Sequence, residues 1–233
     1  GVIHSPLQLR SLIKTVRAYG TRPTGGAAGS GGVLGIGGGT LGGGGTLGGG
    51  AGGVGVAAIQ LAKAAGARVI TTVGSQEKAD RTEELGADVA LNYKEQDFAA
   101  EVQNLTGGKG VDVIIENVAA DNFAKDFTAL GRHGRIVLIG TGTGKAPEAT
   151  FMTGMALFKE VTIYGMALPN SVEHIPDIAN ALTPLFADEK IKAIVHKSYS
   201  LVEAPQALHP PSPFLPHHRG PYLGSHGLSL SPR

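Results

Sequence analysis

With 233 residues, 42% of them hydrophobic, the chain is long enough to bury one sizeable core and leaves room for a second, small domain. No apolar run reaches the roughly eighteen residues that a membrane helix needs, and the absence of cysteine excludes disulfides, thiolate zinc sites and a thiol nucleophile. A formal net charge of +1 gives no ground for a nucleic-acid or membrane partner.

In chain order, Gln8–Tyr19 (QLRSLIKTVRAY) predicts a short basic amphipathic helix with a faint likeness to a transit peptide. Gly25–Gly55 holds 19 of the 37 glycines and carries the hexapeptide GGGTLG twice in tandem, at Gly37–Gly42 and Gly43–Gly48. Such a tract has too few side chains to offset the ordering entropy of glycine. Val54–Ala65 predicts a helix capped by Gly66, and the β-branched Arg68–Val73 a buried strand closed by Gly74. A helix at Gln76–Leu85, a strand at Ala90–Tyr93, a helix at Phe98–Leu105 and a strand at Val111–Ile115 follow. Then come a helix at Asn122–Leu130, a strand at Arg135–Ile139, a helix around Phe151–Phe158 and a strand at Val161–Tyr164. A long helix over about Val172–Ala187 has Pro176 in its first turn and Pro184 where it should bend or shorten the helix. A short helix is expected near Glu203–Leu208. The tail His209–Arg233, with six prolines and no period, reads as disordered. Its histidines 209, 217, 218 and 226 lack the supporting elements of a metal site. All 19 acids lie between Glu77 and Glu203 against 12 bases, a balance of −7 in the middle of a chain whose two ends are basic.

This strand and helix alternation predicts an α/β fold, a doubly wound parallel sheet. In such a sheet the first strand turns into the first helix where backbone amides and the helix dipole can face a diphosphate. Gly50-Ala51-Gly52-Gly53-Val54-Gly55 satisfies G-x-G-x-x-G. In so glycine-rich a tract the pattern matches at several offsets, and only this one is followed at once by a helix and then a strand. At the end of that strand a carboxylate would favour NAD. Gly74-Ser75-Gln76-Glu77-Lys78 has none at its start and offers a hydroxyl and an ammonium to the 2′-phosphate of NADP. Lys78 also reads as an ordinary exposed helix residue paired with Glu77 or near Arg81.

The segments AGGVGVAAIQLAKAAGARVITTVGSQEKAD, LGADVALNYKEQDF, TGGKGVDVIIENVAADNFAKD and GRIVLIG resemble the zinc-free, zeta-crystallin-like quinone oxidoreductase branch of the medium-chain dehydrogenases/reductases. The resemblance covers about Ala51–Leu208 and implies a Rossmann-like NADPH-binding domain there. It implies NADPH as donor and quinones or related activated carbonyls as acceptors, with no zinc and no strong acid-base residue. Carried over by position, it sets Gly52, Gly53 and Val54 on the diphosphate, and Ser75 and Lys78, after Gly74, on the 2′-phosphate. Tyr93 would lie against the adenosine and Asn117 near a ribose. Gly140, Thr141, Met166 and Ala167 would line the nicotinamide. Tyr93 reads equally as a half-buried ring at a strand end, and Met166 as a core filler. The resemblance further implies homo-oligomers and a cytoplasmic setting, the basic N-terminal helix being the one hint of mitochondria.

Two departures bear on activity. Residues 1–50 show nothing like the GroES-like barrel that forms the other wall of the family's cleft, and TLGGGGTLGGG stands where the family has an apolar first strand, with Val33-Leu34 and Ile36 the only apolar content nearby. The composition also changes abruptly at Gly50 and Leu208. We therefore expect an authentic core joined to atypical ends, as in an incomplete, frame-shifted or spliced product, with weak turnover. The competing readings are an enoyl-thioester or enone reductase of the same superfamily, a non-catalytic NADPH-binding or RNA-binding fragment, and a non-functional one. Neither a basic stripe nor stacked aromatics favours RNA in the acidic middle.

Overall fold

The computed structural model describes residues 33–37, 52–141, 148–195, 198 and 200–203. Its elements are β1 (Val33–Gly37), α1 (Gly53–Ala64), β2 (Arg68–Val73), α2 (Gln76–Glu84), β3 (Val89–Asn92), α3 (Phe98–Leu105) and β4 (Val111–Glu116). After these come α4 (Ala119–Ala129), β5 (Leu130–Leu138), α5 (Thr153–Lys159), β6 (Thr162–Gly165), a 3₁₀ helix (Leu168–His174) and α6 (Ile175–Ala187). The strands pair in the order β3-β2-β1-β4-β5-β6, every pair parallel. The chain thus winds outward from β1 in one direction and then, through α3, in the other. The strand order reverses between β1 and β4, which opens a crevice beyond the carboxyl ends of those two strands. This is the doubly wound α/β fold that the alternation predicts.

Two apolar layers hold it. On one face Ile59 and Ala62 of α1 pack with Val69, Val113 and Val137 of the sheet and with Ala87 beyond α2. On the other, Phe98 and Val102 of α3 and Phe123 and Phe127 of α4 pack on Ile70, Ile114 and Ile136. Alternate strand residues serve opposite faces, as the period of two demands. Gly66 (φ +81°) and Gly86 (φ +106°) close α1 and α2: the Gly66 amide bonds to the Lys63 carbonyl and the Ala67 amide to that of Ala62, and the same pairing recurs from Gly86 to Glu83 and Ala87 to Thr82. No helix among the described residues is long and apolar enough to cross a membrane. Val195–Arg233 is a separate unit, of which the 3₁₀ turn Leu201–Glu203 is the described element.

Several sequence expectations need correction. Val33–Gly37 lies within the low-complexity tract yet forms the central strand, hydrogen-bonded through its register with β2 on one side and β4 on the other. A backbone paired along both edges offsets the weakness that glycine brings to a strand. Helix α4 starts at Ala119, three residues before the polar signal at Asn122, because Val118 serves as N-cap without a side-chain cap. Strand β5 starts at Leu130 rather than Arg135: Val111 pairs with Leu130, the register shifts before Val113 meets Arg135, and His133 takes φ 58°. Leu130, expected as the last residue of the preceding helix, is instead the first of the strand. The long helix is split, its first part being the 3₁₀ stretch, and α6 runs three residues past Pro184. Near Glu203–Leu208 the 3₁₀ turn ends at Glu203. The predicted basic helix at Gln8–Tyr19, the proline-rich tail with its four histidines, and residues 204–208 lie outside the described residues.

Candidate functional site

Every predicted cofactor residue stands at the carboxyl edge of the sheet. Gly52, Gly53 and Val54 open α1. Gly74 and Ser75 follow β2, with Lys78 in the first turn of α2. Tyr93 follows β3, Asn117 follows β4, Gly140 and Thr141 lie just beyond β5, and Met166 and Ala167 follow β6. One edge collects them because parallel strands all point the same way, so that each strand-to-helix turn falls on the same side.

The N-terminus of α1 differs from its neighbours. Gly52 is its N-cap in extended conformation, no side chain caps it, and its first turn has no acid. The first helical bond runs from the Val56 amide to the Gly52 carbonyl at 2.8 Å, so the amides of Gly53, Val54 and Gly55 are the orphan donors of the helix end. Both Gly53 and Val54 are exposed. By contrast Ser75 caps α2 and Asp97 caps α3, each accepting from an amide of its own helix. An anion approaching α1 therefore meets amides left unpaired by the helix itself and the positive end of the dipole, with no acid in the first turn.

At the next turn the Ser75 hydroxyl accepts from the Lys78 amide at 3.4 Å, which leaves its own proton free to donate. Lys78 is exposed and forms no ion pair among the described residues, so the neighbour pairing predicted as its ordinary role is not formed; Gln76 instead bonds to Asp80 at 2.7 Å. Tyr93 is half-buried, its amide bonded to the Val73 carbonyl at 3.0 Å, and burial pushes its phenol above the ordinary range. Its ring lies against Gly74, where a Cβ would meet the phenolic oxygen.

On the other side of the crevice the ends of β4 and β5 are tied together. The Ile139 amide donates to the Glu116 carbonyl at 2.9 Å, Val118 bridges to Thr141, and the Gly140 backbone passes so close to Asn117 that a Cβ would collide with its carbonyl. Glycine at 140 is therefore a steric requirement. Met166 donates its amide to the Leu138 carbonyl and is 41% exposed, so it is no core filler. Ala167 is exposed at the start of the 3₁₀ helix.

Behind this turn lies a group that the sequence reading missed. Glu116, Asn122 and Asp126 are buried together; Glu116 accepts from the Val118 amide and from Asn122 Nδ2. Burial and the adjacent Glu116 carboxylate push Asp126 up to about 9, and burial pushes Glu116 upward as well. An acid ending an apolar strand, followed by Asn and Asp four apart on one helix face, was the available signal.

Residues 53–186 match the family described as zinc-binding dehydrogenase. A quinone oxidoreductase of Salmonella typhimurium is 33% identical over 163 residues, which are 67% of this chain and 49% of that protein. A 2-haloacrylate reductase of a Burkholderia species is 32% identical, covering 67% of this chain and 48% of its own. Among solved structures, Escherichia coli quinone oxidoreductase complexed with NADPH superimposes with a TM-score of 0.59 at 27% identity, over 78% of this chain and 53% of that one. The chain spans about half the length of the relatives it matches.

Proposed function

The chain belongs to the zinc-binding dehydrogenase family, in its quinone-oxidoreductase-like branch, and from that premise we propose that it binds NADPH across the crevice and serves reduction of a quinone or a related activated carbonyl. The uncapped, acid-free start of α1 carries this reading. Its orphan amides fit a diphosphate, and the turn after β2 presents a hydroxyl and an ammonium without an ion pair among the described residues, with no carboxylate at its start, to a further phosphate. Tyr93 supplies a flat surface beside that turn for the adenosine. Gly140, Thr141, Met166 and Ala167 border the place for the nicotinamide, with Asn117 at the ribose.

When bound, NADPH supplies the hydride; the protein's residues hold and orient it. The crevice needs no acid or base of its own for that step, and we assign no catalytic side chain. The chain has no cysteine to hold zinc as thiolate, and among the described residues no group of three His, Asp or Glu side chains could hold a metal ion. A second reading, reduction of an activated alkene such as an enone, is favoured by the 2-haloacrylate reductase among the relatives. The nucleotide site serves both.

Titration of the 233-residue chain with NADPH and NADH, followed by nicotinamide fluorescence, tests the cofactor. Saturable, NADPH-selective binding supports the reading, and equal affinity for the two removes the 2′-phosphate site. Binding is expected to be the stronger signature and turnover weak. Acceptor profiling with quinones and enones then separates the two reactions.

A further inference from the structure

The acidic pair at the end of β4 has no part in the function above. Glu116 and Asp126 are each 0% exposed. The Glu116 carboxylate is well provided: the amides of Asn117 and Val118 and Nδ2 of Asn122 donate to it. Asp126 is not, since neither of its oxygens has a donor among the described residues. An ionised Asp126 would be a buried charge without a partner, set beside a second one.

No described cation relieves it. On α4 itself, Asp121 is exposed and Lys125 pairs outward with Asp97 at 3.3 Å. Lys159 of α5 is committed to the carbonyls of Phe127, Thr128 and Leu130. On α3 the one charged residue, Glu101, is partly exposed. Arg135 of β5 alternates with Val137 onto the opposite face, Asp112 lies at the far end of β4, and β1 has no ionisable residue. A protonated Asp126, in contrast, has a hydroxyl to donate, and the Glu116 carboxylate is the acceptor within its reach.

We propose that Glu116 and Asp126 hold one proton between them, and that this O–H···O⁻ bridge latches the Asn117–Val118 turn in the shape that closes the crevice on Gly140 and Thr141. Both are positioning residues. The bridge holds the Glu116 carboxylate beneath the two amides of the turn, and the turn carries Asn117 and the bridge from Val118 to Thr141. Loss of the proton sets two buried charges against each other, and the pair relaxes by drawing the start of α4 away from β4. Coupling of the latch to nucleotide affinity rests on the NADPH reading of the crevice; the shared proton and its hold on the turn do not.

The test uses the full chain, with [13C]carboxyl-labelled Asp and Glu and with 15N label, followed from about pH 6 to pH 10. One carboxyl is expected to stay protonated at neutral pH, and the Val118 amide shift to titrate with it. Asp126→Asn removes both signals, because its amide donates to Glu116 without titrating. Glu116→Gln, which removes the opposing charge, moves the remaining midpoint to lower pH. Absence of a protonated carboxyl at neutral pH, a Val118 inflection that survives Asp126→Asn, or a midpoint indifferent to Glu116→Gln overturns the latch. NADPH titration at the two ends of the range is expected to show affinity falling about fivefold on deprotonation in the unmodified chain and not in Asp126→Asn. Binding that ignores pH overturns the coupling. If NADPH fails to bind at any pH while the carboxyl and amide signals behave as stated, the nucleotide reading falls and the latch stands.

Discussion

The phenolic oxygen of Tyr93 stands 2.6 Å from the point that a Cβ on Gly74 would occupy. The ends of β2 and β3 are thus fitted to each other through one ring and one missing side chain. Gly74→Ala is expected to cost about 1–3 kcal/mol in urea unfolding, the usual penalty for overpacking. In a Tyr93→Ala background the same substitution is expected to cost little, because the ring that it strikes is gone. A double-mutant cycle measures this directly, and a coupling below about 0.5 kcal/mol would show that the two positions do not meet.

Lys78 and Ser75 make a separable prediction, since the roles proposed for them require the 2′-phosphate. Lys78→Ala is expected to weaken NADPH binding about tenfold, some 1.4 kcal/mol, and to leave NADH binding and thermal stability unchanged. Added salt should narrow the difference between the unmodified chain and the variant, because the ammonium is exposed and its attraction is screened. Equal loss for both nucleotides would place Lys78 elsewhere in the site or mark a general disturbance of α2.

The frame of the fold was legible because periodicity reports directly on local structure. Phe98–Leu105 and Arg68–Val73 were predicted to the residue, and the glycines that end α1 and α2 are those with positive φ. What failed depended on distant partners. Val33–Gly37 carries little strand signal of its own and becomes central through ladders to β2 and β4. Strand β5 begins in a stretch of turn chemistry, held by pairing of Leu130 with Val111. The candidate cofactor residues come from motif, order and resemblance, and the sheet brings them to one edge. Glu116 and Asp126 were missed because burial of a carboxyl is invisible until α4 is laid on β4.

That burial makes stability depend on alkali. Asp126 is raised from an ordinary 3.8 toward about 9 by burial first and by Glu116 second, so the folded chain holds its proton where the unfolded chain has released it. The native state binds more protons throughout this window, and stability must fall as pH rises across it and level off above it. Asp126→Asn removes the part of the slope that Asp126 contributes, while Glu116, also raised by burial, keeps its own. Thermal unfolding at about pH 5, 7 and 9 is expected to show a decline in the unmodified chain and a flatter profile in the variant, the variant gaining at the highest pH. A profile that rises between pH 5 and 9 and is unaltered by the substitution would mean that Asp126 is ionised in the folded state.

Lys159 provides a contrast at the opposite edge of the sheet. Its ammonium donates to the carbonyls of Phe127 at 2.7 Å, Thr128 at 3.1 Å and Leu130 at 2.6 Å, which belong to the last turn of α4 and the first residue of β5. A cation there satisfies carbonyls that the helix end leaves unpaired and meets the negative end of its dipole. Lys159→Met keeps the apolar stem and removes all three donors, so it is expected to destabilise the chain by about 1–3 kcal/mol. In a domain of this size that lowers the melting temperature by roughly 2–4 °C for each kcal/mol. The crevice lies at the other ends of the strands, and nucleotide affinity measured well below the new melting temperature should be preserved. A variant that loses nucleotide binding without losing stability would mean that the carbonyl contacts of Lys159 do not hold α4 in place.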